Sequence, residues 1–113
     1  MSGLTTHVLD TTHGRPAAGV ALRLKRGETV LVAARTNADG RCDSPLLSAE
    51  AMTPGPYRLE FDVGPYFRGL GMALPDPAFL ETVTIDFGIA EPGAHYHVPL
   101  LVSPFGYSTY RGS

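Results

Sequence analysis

Tyr57-Arg58-Leu59-Glu60-Phe61-Asp62-Val63 is the stretch that settles the fold class. Tyr57, Leu59, Phe61 and Val63 alternate with Arg58, Glu60 and Asp62. Successive side chains of an extended chain point to opposite faces, so the segment has one apolar face and one charged face. That alternation predicts a half-buried strand.

The same period recurs on both sides of it. Val20, Leu22 and Leu24 alternate with Ala21, Arg23 and Lys25, and Val83, Ile85 and Phe87 alternate with Thr82, Thr84 and Asp86. Leu4–Leu9, His95–Val102 and Gly106–Tyr110 read as further strands, with Leu46-Leu47 a short one. Val30–Ala34 is a continuous apolar run, which predicts a strand buried on both faces or paired inside a sheet. Turn clusters separate these segments at Asp10–Gly14, Gly27-Glu28, Asn37–Gly40, Pro54–Pro56 and Asp76-Pro77, with Gly40 placed to supply a positive φ. Pro65–Leu74 is the helix candidate: Pro65 suits a first turn, while Gly69 and Gly71 weaken the rest. Pro99 inside a strand implies an edge, a bulge or a strand start. Seven or eight antiparallel strands predict a β-sandwich.

Composition agrees and sets limits. The 113 residues form one domain, 1–113, long enough for a core of its own. Thirteen Gly and ten Pro disfavour a helical bundle, and 43% hydrophobic with 18% charged residues excludes global disorder. A net charge of −2, with nine scattered basic residues, argues against nucleic acid as a partner. The single cysteine, Cys42, excludes a disulfide framework, and without Trp or a Cys pair there is no antibody-type core. The first residues have neither a charged nor an apolar segment of signal-peptide type, and no apolar run approaches a membrane span. The expectation is a cytoplasmic protein with no membrane partner.

Four histidines are the main candidates for chemistry: His7, His13, His95 and His97. His95 and His97 share one face of their strand. Two strand histidines with a third could bind zinc, but no Cys or acidic partner stands at motif spacing. Imidazole also both takes and gives a proton near neutral pH, which suits acid–base catalysis. His13, beside Gly14 in a turn, reads as structural. Arg41 opens a strand after its turn; it is either a solvated charge or a fork of donors for a carbonyl or oxyanion. Cys42 beside it would be a nucleophile only if Arg41 favoured the thiolate. The ending Tyr110-Arg111-Gly112-Ser113 is by default a frayed tail.

Four segments together resemble one family. They are Leu4-Thr5-Thr6-His7-Val8-Leu9-Asp10-Thr11-Thr12-His13-Gly14-Arg15-Pro16-Ala17, Thr36-Asn37-Ala38-Asp39-Gly40-Arg41, His95-Tyr96-His97-Val98-Pro99-Leu100-Leu101-Val102-Ser103-Pro104, and Tyr110-Arg111-Gly112-Ser113. In order and across the whole chain, they are similar to the 5-hydroxyisourate hydrolases, the transthyretin-like enzymes of urate breakdown. The resemblance implies an all-β, transthyretin-like (prealbumin-like) β-sandwich of two four-stranded sheets with one short helix. It implies a homotetramer, a dimer of dimers, with sites in the channel where dimers meet. Carried over, His7, Arg41 and His97 correspond to catalytic positions, and Tyr110, Arg111 and Ser113 to residues that shape the substrate site. The implied reaction opens the ring of 5-hydroxyisourate with no metal and no cofactor. Transthyretins that carry thyroid hormone lack these histidines and this ending, so the resemblance favours the enzyme. The alternatives are a transthyretin-like module that binds small aromatic molecules without catalysis, and a plain interaction domain.

Overall fold

The alternating segment forms β6 (Gly55–Asp62), in a computed structural model that describes residues 3–112. Tyr57, Leu59 and Phe61 are buried, and Arg58 and Glu60 lie on the outer face. Val63 is buried too, but it opens the helix α1 (Val63–Gly69) instead of ending the strand. Pro65 sits in the first turn of that helix, where its missing N–H leaves no gap. The helix is shorter than Pro65–Leu74 at its C-terminal end. Gly69 is its last residue, and Gly71 at φ +86° turns the chain away.

The other strands are β1 (Gly3–Asp10), β2 (Arg15–Pro16), β3 (Ala21–Arg26), β4 (Thr29–Arg35), β5 (Leu47–Ser48), β7 (Thr82–Ile89), β8 (His95–Ser103) and β9 (Gly106–Thr109). One sheet runs β4-β3-β6-β7. The other runs β2-β1-β8-β9, with β5 also on β1. β2 and β5 pair with opposite ends of β1, so this sheet has a four-strand path with β5 as a short fifth strand. The result, among the described residues, is two layers, each built on a path of four strands, and one short α-helix. No helix among the described residues is long and apolar enough to cross a membrane.

Two sequence expectations are corrected. The strands are not all antiparallel, since β1 and β8 run parallel over eight paired residues, from Gly3 beside His95 to Asp10 beside Val102. Period-two patterning fixes which face a residue takes and says nothing of strand direction. No hairpin constrains this pair, because most of the chain lies between its members. The apolar run Val30–Ala34 is not interior either. It lies in β4, an edge strand paired only with β3, and Val30 and Leu31 are 48% and 43% exposed.

The core lies between the layers. Leu4 and Val8 of β1 and Leu100 and Val102 of β8 face Leu22, Leu24, Leu59 and Phe61 of the other sheet. Burying each such side chain contributes about 1.5–3 kcal/mol. Asp10 is the charged exception, fully buried on this inner side. It accepts hydrogen bonds from the Tyr66 hydroxyl (2.7 Å), His13 Nδ1 (2.6 Å) and the His13 backbone N–H (3.0 Å). Burial alone would raise its carboxyl; these donors outweigh burial and hold it below the usual aspartate range.

The outer faces differ in kind. On the β3–β6 side, Arg23 binds both Glu60 and Asp62, and Lys25 binds Glu60. Those charges satisfy one another. The outer face of β1 and β8 instead carries Thr5, His7, His95 and His97, half-buried between inward-pointing neighbours.

Candidate functional site

The site is built on the middle of β1. His7 projects from its outer face, and along the same edge β5 covers Gly3 and Leu4 while β2 covers Leu9 and Asp10. The gap between them is filled by the turn that carries Arg41. Asn37 organises this turn: its side-chain oxygen accepts the backbone N–H of Asp39 (2.9 Å) and of Arg41 (3.2 Å). Gly40, at φ +73°, lies so close to β1 that a Cβ on it would stand 2.4 Å from the Val8 carbonyl oxygen. The Gly40 carbonyl accepts the Val8 N–H at 2.8 Å, and His7 and Arg41 pair as an isolated antiparallel bridge. Directly opposed residues share a face, so the imidazole and the guanidinium leave the sheet side by side. Among the described residues, Arg41 has no carboxylate partner.

His97 comes from β8, next to β1. Its ring centroid is 6.5 Å from that of His7, with the planes tilted by 32°. Its Nδ1 lies 2.8 Å from the Thr5 hydroxyl, and its carbonyl accepts the Gly112 N–H at 2.7 Å. Gly112 packs on the ring: a Cβ there would lie 2.6 Å from His97 Cδ2. Arg41, His95 and His97 line an open cleft of about 370 Å³, with Thr5, Cys42 and Asp43 on its walls. His7 flanks it.

Both catalytic candidates among the histidines are held below the usual imidazole range. For His7 the causes are burial and then the Arg41 charge, opposed in part by Asp39. For His97 they are burial, then Arg41, His7 and His95. Each is therefore neutral near pH 7 and can accept a proton. Burial and Asp43 push the Cys42 thiol up, which is the reverse of what a thiolate nucleophile needs.

The structure brings His7, Arg41 and His97 together from three separate segments. Tyr110, 60% exposed, and Arg111 line a neighbouring, mostly apolar cleft with Tyr96, Ile85 and Phe87. Arg111 stacks 4.0 Å over the Tyr96 ring and donates to the His95 carbonyl at 3.1 Å. The ending up to Gly112 is thus tied across β8 and is not a frayed tail. Ser113 lies outside the described residues. His13 is engaged with Asp10 and does not line the cleft. Among the described residues, no three His, Cys, Asp or Glu side chains are grouped to hold a metal ion. Sequence reasoning gave Thr5 no role and took Gly112 only as part of the Tyr110–Ser113 ending. Period two puts Thr5 on the same face as His7, but its contact with His97 depends on the parallel register.

A sequence profile of the HIUase/Transthyretin family matches residues 4–112. The chain belongs to this family. A 5-hydroxyisourate hydrolase of Ralstonia nicotianae is 56% identical over 117 residues, covering 100% of both chains. The solved structure of Klebsiella pneumoniae 5-hydroxyisourate hydrolase superposes with a TM-score of 0.84 at 40% identity, covering 100% of each chain. An (S)-allantoin synthase superposes with a TM-score of 0.91 at 41% identity. It covers 99% of this chain but only 44% of its own, so this chain spans less than half of that protein.

Proposed function

We propose that the chain is a cytoplasmic 5-hydroxyisourate hydrolase that opens the six-membered ring toward 2-oxo-4-hydroxy-4-carboxy-5-ureidoimidazoline. The observation that carries this reading is the meeting of His7, His97 and Arg41, which has no carboxylate partner among the described residues, beside one cleft, in a chain whose full-length relatives bear that name.

The chemistry follows from the groups. A water molecule attacks a ring carbonyl carbon. One neutral histidine takes the proton that the water loses as the new C–O bond forms. Negative charge develops on the carbonyl oxygen, and the Arg41 fork stabilises it. The C–N bond then breaks, and a histidine proton passes to the leaving nitrogen. The atoms of water end as a hydroxyl on carbon and a hydrogen on nitrogen. Base and acid steps of this kind each contribute about 10² to 10⁴ in rate. The mechanism uses no metal and no covalent intermediate.

The same reading makes the assembly a homotetramer, a dimer of dimers, with two facing clefts enclosing the substrate between dimers. Support comes from the open cleft in one chain and from the outer edges of β7 and β9, which no strand among the described residues covers. Tyr110, Arg111 and Ser113 would shape the substrate site within that channel. The test is direct. Urate oxidase supplies fresh 5-hydroxyisourate, and its decay is followed by ultraviolet absorbance with and without the protein, before and after a chelator. Faster decay that survives the chelator supports the reading; no acceleration refutes it, and loss with chelator refutes the metal-free mechanism.

A further inference from the structure

Thr5 and His97 are 92 residues apart in sequence, yet Thr5 Oγ1 lies 2.8 Å from His97 Nδ1. The parallel pairing of β1 with β8 sets them side by side on the outer face. This contact engages Nδ1, so Nε2 is the ring nitrogen it leaves available, on a histidine that lines the cleft. On the other ring edge, Gly112 closes against Cδ2. The ring is therefore held from two sides.

The chemistry of the partner matters as much as its position. A hydroxyl donates or accepts, so it can hold Nδ1 whether or not that nitrogen carries a proton. A carboxylate only accepts, and its charge favours the imidazolium. A carboxylate partner does occur elsewhere in the chain, in the contact of His13 Nδ1 with buried Asp10. We propose that Thr5 is a positioning residue for the hydrolysis: its neutral hydroxyl fixes the His97 ring and supports both protonation states, so Nε2 can take a proton and release it. The proposal rests on the hydrolytic reading above. The charged or titratable groups facing His97 are Arg41, His7 and His95, all of which disfavour its cation. A neutral hydroxyl adds no charge to counter them.

The experiment compares wild type with Thr5→Ser, Thr5→Val, Thr5→Ala and Thr5→Asp. Steady-state kinetics on 5-hydroxyisourate are measured across pH, and the His97 ring nitrogens are titrated by NMR in substrate-free protein. Thr5→Val and Thr5→Ala are expected to lower kcat about tenfold with little change in KM, the effect of losing one hydrogen bond that aligns a reacting group. Both should also alter the His97 nitrogen signals. Thr5→Ser should restore both readouts, and Thr5→Asp should raise the His97 titration midpoint and shift the acid limb of kcat upward. Wild-type kcat and unchanged His97 signals in Thr5→Val and Thr5→Ala would overturn the proposal, as would failure of Thr5→Ser to rescue. If wild type does not hydrolyse the substrate, the hydrolytic reading falls by itself. The NMR arm, read separately, then shows whether Thr5 holds His97.

Discussion

A histidine placed beside a guanidinium loses its cation first and keeps its lone pair, which is what a general base requires. His7 and His97 both titrate below 6.5, each for burial first and Arg41 second. kcat/KM is therefore expected to be level through neutral pH and to fall only as pH drops below 6.5 through the lowered values. A rate profile whose acid limb has its midpoint above 6.5 would contradict this. The same depression means that the unfolded chain binds these protons more readily than the folded one. Stability from these two groups is fully present above 6.5 and is lost as pH falls through their folded values. Asp10 shows the opposite use of a titratable group, since its carboxylate is built into the core. Tyr66→Phe removes one donor from it, and burial with the Asp10 contact has pushed that hydroxyl up to about 12. Denaturant unfolding is expected to show a loss of about 1–3 kcal/mol, the range for a buried acceptor stripped of a partner. An unchanged midpoint would mean that His13 alone satisfies Asp10.

At the scale of the element, the strand faces were legible and the strand neighbours were not. Alternation at Tyr57, Leu59 and Phe61 placed β6 correctly because burial follows side-chain direction, a local property. The parallel run of β1 beside β8 depends on contacts across nearly the whole chain, so Thr5 could not be matched to His97 from spacing. Val30–Ala34 misled for a related reason: an apolar run reports a preference for strand, and only the sheet order shows that β4 is an edge. The meeting of His7 with Arg41 came from family resemblance, and its physical cause is the Asn37–Arg41 turn seated against β1. Gly40→Ala tests that cause. It meets both a left-handed backbone, which a Cβ disfavours by roughly 1–2 kcal/mol, and the Val8 carbonyl. Gly27→Ala meets the first without the second, since nothing lies within 4 Å of its Cβ position at φ +59°. Thermal melts and rates together should show Gly40→Ala as the less stable variant and the one with lost activity. Equal behaviour of the two would show that the turn does not position Arg41.

For the whole molecule, size is the governing fact. A sandwich of 12.0 kDa fills its interior with side chains, and the histidine cleft lies open on the outer face of one layer. In the proposed tetramer, other copies would enclose it. Sedimentation is expected to give about four times the mass of one chain, with specific activity falling as the protein is diluted toward monomer. A monomer of undiminished activity would remove the channel from the account. The central claim is narrower than the assembly: His7, Arg41 and His97 act together on one substrate. Its most direct measurement is the initial rate of 5-hydroxyisourate decay for wild type, His7→Ala, Arg41→Ala and His97→Ala, each first shown to be folded. The account predicts a protein-dependent rate that drops by about 10² or more in each variant. Full rate in all three variants, or no rate above the spontaneous decay in wild type, would contradict it.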